Sequence, residues 1–245
     1  LFMKTHSSAP MLAAEAKGLQ WLAEAEALAV PAVRGVCSDG DAEGYLVLEW
    51  VQEGGGAASD WEGMGRGLAR LHRSGAGRFG MPFGGHLGSL ALDNSPCLEW
   101  TVFYSERRLL PQARLAVESG RAGSGLLVSM DRLVSRLDGL VGDPETPARI
   151  HGDLWSGNCI FSENGRPYLV DPSPCTAHRE MDIAMMKLFG GFPARCFGAY
   201  LEEHPLQPGW EDRLPLYQLF YLLAHANLHG SGWMRSVRRV LDFLA

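Results

Sequence analysis

No two cysteines in the sequence stand at a C-x-x-C spacing, and the five present, Cys37, Cys97, Cys159, Cys175 and Cys196, are an odd number. This argues against a paired disulfide framework and gives no zinc pattern. A reducing compartment, the cytoplasm, is the expected setting. No apolar run approaches the ~20 residues that span a bilayer. No charged start leads into an apolar centre as in a secretory leader, so no membrane association is expected. Basic residues are in the minority: 22 Lys and Arg against 28 Asp and Glu give a formal charge of −6. A nucleic-acid binder normally shows a basic balance or stripe, and neither is visible. Internal repeats are also missing, which excludes a solenoid. A natural-looking beginning is lacking too. Leu1-Phe2-Met3-Lys4 reads as the inside of a strand, and a preceding segment is expected.

What is there is an ordinary globular chain of 245 residues, 46% hydrophobic and 20% charged, long enough for one large core or two modest ones. A strand around Phe2 to Lys4 is followed by a helix from about Met11 to Ala29, rich in Ala, Leu and Glu and stopped by Pro31. Ala32–Val36 and Tyr45–Trp50 read as strands on either side of a turn at Ser38–Asp41. Gly54–Ala58 is small and flexible, a candidate hinge. Ser59-x-x-Glu62 forms a capping-box pattern before an apolar stripe of Trp61, Met64, Leu68 and Leu71. Residues 74–96 read as irregular loop. Helices are expected near Trp100–Leu109, Leu126–Leu140, His178–Leu188, Arg213–Leu228 and Trp233–Leu244. The expected fold is α+β and bilobal: a small β-rich lobe over residues 1–53, and a larger, mainly helical lobe over 54–245 with the hinge near 49–57.

The informative stretch runs from Ile150 to Asp171. It holds His151-x-Asp153-x-x-x-x-Asn158, two apolar runs separated by Asn164-Gly165, and then Asp171. Asn-Gly between apolar runs predicts a two-residue type I′ hairpin. That loop would pair Glu163 with Arg166, Ile160 with Leu169, and Asn158 with Asp171, the last at a non-hydrogen-bonded site where side chains share one face. Pro167 would also fall at a non-hydrogen-bonded site, where its missing N–H costs nothing. An amide and a carboxylate would then converge, a donor set suited to magnesium. Asp153, across a loop containing Gly157, would project to the same point as a base for a hydroxyl proton. Protein kinases use the same spacing in their catalytic loop. Lys4 and Glu15 are placed to act as a strand lysine on nucleotide phosphates and its helix partner. Glu49-Trp50-Val51, at a strand end before the glycines, would meet an adenine.

His151-Gly152-Asp153-Leu154-Trp155-Ser156-Gly157-Asn158 resembles the signature of the fructosamine (ketosamine) kinases, relatives of aminoglycoside and choline kinases with a protein-kinase-like fold. Glu15–Leu19, Leu48–Trp50, Phe103–Leu109, Asp171–Ser173, His178–Asp182, Leu188–Phe192 and Leu216–Leu228 are also similar, so the resemblance covers nearly the whole chain. It implies ATP-dependent, magnesium-assisted phosphorylation of a sugar hydroxyl, at position 3, on a small-molecule or protein-bound ketosamine, which leads to deglycation. It also implies Asp153 as base, Asn158 and Asp171 as metal ligands, Lys4 with Glu15 at the phosphates, Trp155 against the sugar, and His151 and Asp182 as supports of the loop. The sequence departs from the family at Cys175-Thr176-Ala177, around Gly85–Ser89, and at Asp93-Asn94. The family's opening strands and nucleotide-covering loop have no counterpart before Leu1. Two other readings remain: a kinase of aminoglycosides or amino alcohols, and a catalytically inactive kinase-like binding protein. A monomer or weak homodimer is expected.

Overall fold

The fold is described from a computed structural model covering residues 1–39, 43–75 and 77–245. Three antiparallel strands, β1 (Phe2–His6), β2 (Val33–Asp39) and β3 (Glu43–Leu48), form a sheet in the order β1-β3-β2. Helix α1 (Ala9–Ala23) connects β1 to β2. Its apolar stripe, Leu12, Ala16 and Leu19, packs on Leu46 and Leu48 of β3, a small core of its own. The expected turn at Ser38–Asp41 lies partly in β2, and its Gly40 and Asp41 fall outside the described residues.

The expected helix to Ala29 ends six residues early. Glu26 turns the chain at φ +50°, and Ala29 instead accepts a hydrogen bond from the Leu169 N–H at 2.9 Å. Strand-like pairing across the molecule overrides the helical propensity of an Ala-rich segment.

The remaining chain is mainly helical. Helix α2 (Ala58–Arg73) opens not on the Ser59/Glu62 box but on Asp60, whose carboxylate accepts the N–H groups of Gly56 and Ala57 at 2.9 and 2.7 Å. Ser59 already lies within the helix. In the stretch read as irregular loop, a short hairpin forms from β4 (Gly85–Leu87) and β5 (Leu90–Leu92). Helix α3 (Trp100–Tyr104) passes through one wide turn at Ser105–Leu109 into α4 (Leu110–Glu118). Pro111 has no N–H for the Arg107 carbonyl, and the helix widens there rather than stopping. Helix α5 (Gly125–Val134) precedes strand β6 (Ala148–Ile150).

The catalytic-loop candidate leads into the hairpin of β7 (Cys159–Phe161) and β8 (Pro167–Leu169), and β9 (Cys175–Ala177) pairs with β6. Helices α6 (Glu180–Phe189), α7 (Ala194–Glu203), α8 (Trp210–His229) and α9 (Met234–Phe243) complete the fold. The ten-residue α7 was not expected. It buries Cys196, Ala199 and Tyr200 in a core shared with Met64, Leu68 and Leu71 of α2. A larger core gathers α3, α4, α5, α8 and α9. Among the described residues, no helix is long and apolar enough to cross a membrane.

The hairpin register differs from expectation by one residue. Cys159 faces Leu169, Ile160 faces Tyr168, and Phe161 faces Pro167. The loop has three residues, with Ser162 N–H donating to Arg166 O at 3.0 Å and Gly165 N–H donating to Ser162 O at 2.8 Å. Gly165 alone of the loop takes a positive φ, +77°. Asn164 stays right-handed because its Oδ1 accepts the Ser162 hydroxyl at 2.6 Å, a local bond that favours a type I turn with a left-handed glycine after it. Asn158 therefore faces Val170, whose N–H donates to Asn158 O at 3.1 Å. Pro167 still occupies a non-hydrogen-bonded position, one residue in from the closing Ser162/Arg166 pair.

Candidate active site

A one-residue slip turns side chains to the opposite face, so Asn158 and Asp171 do not meet as an opposed pair. They reach one cleft by another route. Asp171 lies two residues beyond β8 and has φ +53°, one of two non-glycine residues with positive φ among those described. Short polar side chains tolerate this region. The left-handed turn breaks the strand, and the Asp171 carboxylate contacts the Lys4 ammonium. Lys4, Glu15, Asp153, Trp155, Asn158 and Asp171 line a single cavity of about 410 Å³.

Lys4 comes from β1, opposite Leu46, and its Nζ lies 2.7 Å from Glu15 Oε1 of α1. Burial acts to lower the Lys4 pKa, but Glu15 and then Asp171 outweigh it and hold the ammonium above its ordinary value. Burial likewise lifts Glu15 against the pull of Lys4.

The loop bearing Asp153 is fixed from below. Gly152 sits at φ +81°, and a Cβ there would lie 1.9 Å from the Ser173 carbonyl oxygen. No other residue fits this crossing, where Ser173 N–H donates to His151 O at 2.9 Å. The buried Asp182 carboxylate, from α6, accepts the N–H groups of His151 and Gly152 at 2.7 and 2.8 Å. His151 is fully buried; its Nε2 donates to Val170 O at 2.9 Å, and its Nδ1 accepts the Asp153 N–H at 3.3 Å. A nitrogen that accepts carries no proton, so the ring is neutral, and burial pushes its pKa down.

Asp153 itself is pushed up to a pKa of about 7, first by burial and then by the charges of Asp171 and Asp182. Asn158 opposes this rise. Its Nδ2 donates to Asp153 O at 2.8 Å and lies 3.4 Å from Asp153 Oδ2, which leaves the Asn158 Oδ1 free. The Trp155 ring lies against Gly157, where a Cβ would meet it at 2.2 Å, and the residue is 43% exposed.

The adenine candidates are not brought to this cavity. Glu49 N–H donates to Ala32 O at 2.9 Å, and its carboxylate accepts the Ala32 N–H at 3.1 Å. Trp50 is exposed, and its indole N–H donates to Gln52 Oε1 at 3.0 Å. Neither they nor Val51 line the cavity that holds Asp153.

One participant escaped the sequence reading. His72 of α2 places Nε2 3.2 Å from Asp182 Oδ2, and its Nδ1 lies 2.8 Å from the Tyr200 hydroxyl. The burial of Asp182 is outweighed by His72 first and then His151, so its pKa stays low. The available signal was a histidine four residues after Leu68, on the apolar face of an amphipathic helix.

Among the described residues, no three His, Cys, Asp or Glu side chains gather into a metal cluster. An amide oxygen and a carboxylate beside an acid-rich cleft suit a hard cation that completes its shell with water and phosphate. The residues present therefore fit magnesium and not zinc.

A small β-rich lobe against a helical lobe, with this loop and hairpin in the cleft, defines a protein-kinase-like phosphotransferase. An apo aminoglycoside phosphotransferase shares the fold at a TM-score of 0.63 and 13% identity, over 99% of this chain and 85% of that one. The chain belongs to the fructosamine kinase family, which it matches over residues 1–245. It is 37% identical over 244 residues to the "Probable ketoamine kinase" of Enterococcus faecium, covering 98% of this chain and 86% of that protein. It is 32% identical to the chloroplastic "Protein-ribulosamine 3-kinase" of Arabidopsis thaliana, over 98% of this chain and 71% of that protein. A crystal structure from Thermobifida fusca assigned to fructosamine-3-kinase superposes at a TM-score of 0.88 with 38% identity, over 96% of this chain and 80% of that one.

Proposed function

We propose that this protein transfers the γ-phosphoryl group of ATP to the 3-hydroxyl of a ketosamine, a step that leads to deglycation. The observation that carries this reading is the meeting of Lys4, Glu15, Asp153, Asn158 and Asp171 around one cleft, in a chain of the fructosamine kinase family.

Asp153 orients the sugar hydroxyl and takes its proton; a carboxylate poised near pH 7 suits that work. The hydroxyl oxygen bonds to the γ-phosphorus as the bond from that phosphorus to the bridging oxygen breaks, ADP leaves, and Asp153 passes its proton to solvent. Lys4, steadied by Glu15, binds the phosphates and balances their charge. Asn158 Oδ1 and Asp171 would hold magnesium, which supplies charge neutralisation at the phosphates. Lys4 contacts the Asp171 carboxylate, and on nucleotide binding its ammonium turns from that carboxylate to the phosphates. His151 and Asp182 keep the Asp153 backbone in place, and Trp155 offers an apolar face to the sugar. The backbone of Glu49–Val51 lies outside the cavity that holds Asp153, so the adenine is proposed to reach beyond that cavity to meet it, with the lobe boundary at 53/54 and the hinge near 49–57. The cytoplasm is the proposed compartment, supported by the five free cysteines.

Incubation with ATP, magnesium and a panel of ribulosamines, fructosamines, aminoglycosides and choline tests this reading. Phosphate is expected on the ketosamines. Transfer to none of them refutes it.

A further inference from the structure

The formal charge of −6 hides one strongly basic patch. A cavity of about 610 Å³ is lined from α9 and from the turn that joins α4 to α5. Arg121, Arg235, Arg238 and Arg239 surround it with Ser231, and its one carboxylate is Asp242. Arg235 stands three and four residues before Arg238 and Arg239, so the three share one face of the helix. Met234, Val237 and Leu244 are buried in the large core, which turns the charged face outward. Arg121 comes from a separate element. Its N–H donates to Ala116 O at 2.8 Å just after Gly120, at φ +70°, a closed helix end that fixes the backbone beneath the side chain. Among the described residues, no hydrogen bond or ion pair engages the side chain of any of these four arginines or of Asp242.

Gathered like charges repel one another unless counter-charges answer them. Within the helical lobe they are answered elsewhere: Arg179 and Arg213 lie 2.7 and 2.6 Å from Glu145 and Glu180. Around this cavity four arginines against one aspartate leave a charge of +3. The planar guanidinium fork receives phosphate or carboxylate oxygens in pairs. A phosphate group carries about −1.5 to −2 at neutral pH, so two of them match the site, where two carboxylates fall short. From Arg235 to Arg239 the helix rises only about 6 Å, too little to follow a nucleic-acid backbone across many phosphates. We propose that this cavity is an anion site separate from the cleft, built for a compact ligand that carries two or more phosphate groups. It shares no lining residue with the cavity that holds Asp153, and so stands apart from the kinase reading.

Calorimetric titration of the full chain with tripolyphosphate, at low salt and without metal, tests this, with orthophosphate and a short single-stranded oligonucleotide as comparisons. A tripolyphosphate site is expected that weakens about a hundredfold or more in the double variant Arg235→Gln/Arg239→Gln, through the loss of two charge-assisted contacts. Arg132→Gln, at an exposed arginine outside the cavity, should leave its affinity within about twofold. Asp242→Asn removes the one opposing charge and should tighten binding about threefold, a gain that damage to the fold would not produce. Orthophosphate should bind far more weakly than tripolyphosphate. Binding beside Lys4 in the cleft persists in all of these variants and is therefore counted apart. The assignment is overturned if no site is lost in the double variant, if orthophosphate binds there equally well, or if the oligonucleotide binds there more tightly than tripolyphosphate.

Discussion

Gly152→Ala is the most demanding test of how the candidate catalytic loop is held. The new Cβ would stand 1.9 Å from the Ser173 oxygen at a backbone φ of +81°. The left-handed conformation alone costs an alanine about 1 kcal/mol. Relieving the clash requires the two segments to part by more than ~1 Å, which stretches the Ser173-to-His151 hydrogen bond, worth about 1 kcal/mol. It also pulls the Gly152 N–H from the buried Asp182 carboxylate, a charge-assisted bond worth about 1.5–3 kcal/mol. The expected loss is about 3–5 kcal/mol, or a fall in Tm of about 6 °C or more. A misplacement of this size beside the base should lower kcat by about a hundredfold. Gly120→Ala is the control: its φ is +70°, and nothing lies within 4 Å of its added Cβ, so only the conformational cost of about 1 kcal/mol applies. Urea unfolding and steady-state kinetics on both variants check the reasoning. Equal losses in the two would show that the crossing with Ser173 does not constrain the loop.

Two further substitutions probe the acids. Asp153→Asn should abolish turnover while ATP still binds. It should also remove a carboxylate held at about pH 7 against an ordinary 3.8. The wild-type stability tied to this group is complete below about pH 4 and is lost as pH rises through about 7. The Tm advantage of the variant should thus grow by about 5 °C between pH 5 and pH 8 in melts without added metal, and a gap that is flat with pH would contradict this. Asp171→Ala should weaken ATP binding in the presence of magnesium by about tenfold, equivalent to about 1.4 kcal/mol. Calorimetric titrations with and without the metal would reveal an unchanged affinity, the result that counts against Asp171 as a ligand.

The fold class was legible because its cues are local. The order strand, helix, strand, strand follows from periodicity, and the eight residues from His151 to Asn158 carry the family resemblance. The register of the hairpin was not legible, because one hydrogen bond between Ser162 and Asn164 converts an expected two-residue loop into one of three. Helix α1 ended early because Ala29 pairs with the catalytic hairpin, a contact with no trace in the surrounding composition. The expected pairing of Asn158 with Asp171 does not form; both line one cavity, Asp171 from a left-handed turn beyond β8. His72 went unrecognised because a lone histidine on an apolar helix face is ordinarily a packing residue, and its partner Asp182 lies 110 positions away.

The chain beyond β3 does not run loose into the helices. Gly54 and Gly55 donate to Phe161 O and Ser162 O, and Glu163 donates to Gln52 O, so residues 52–55 are laid along the tip of the hairpin whose other end carries Asn158 and Asp171. The hairpin thus behaves as a lever gripped at its far end by the connecting segment. Changes at Gln52 or Gly54, which touch neither nucleotide nor sugar, are placed to tilt the pair of oxygens that would receive the cation.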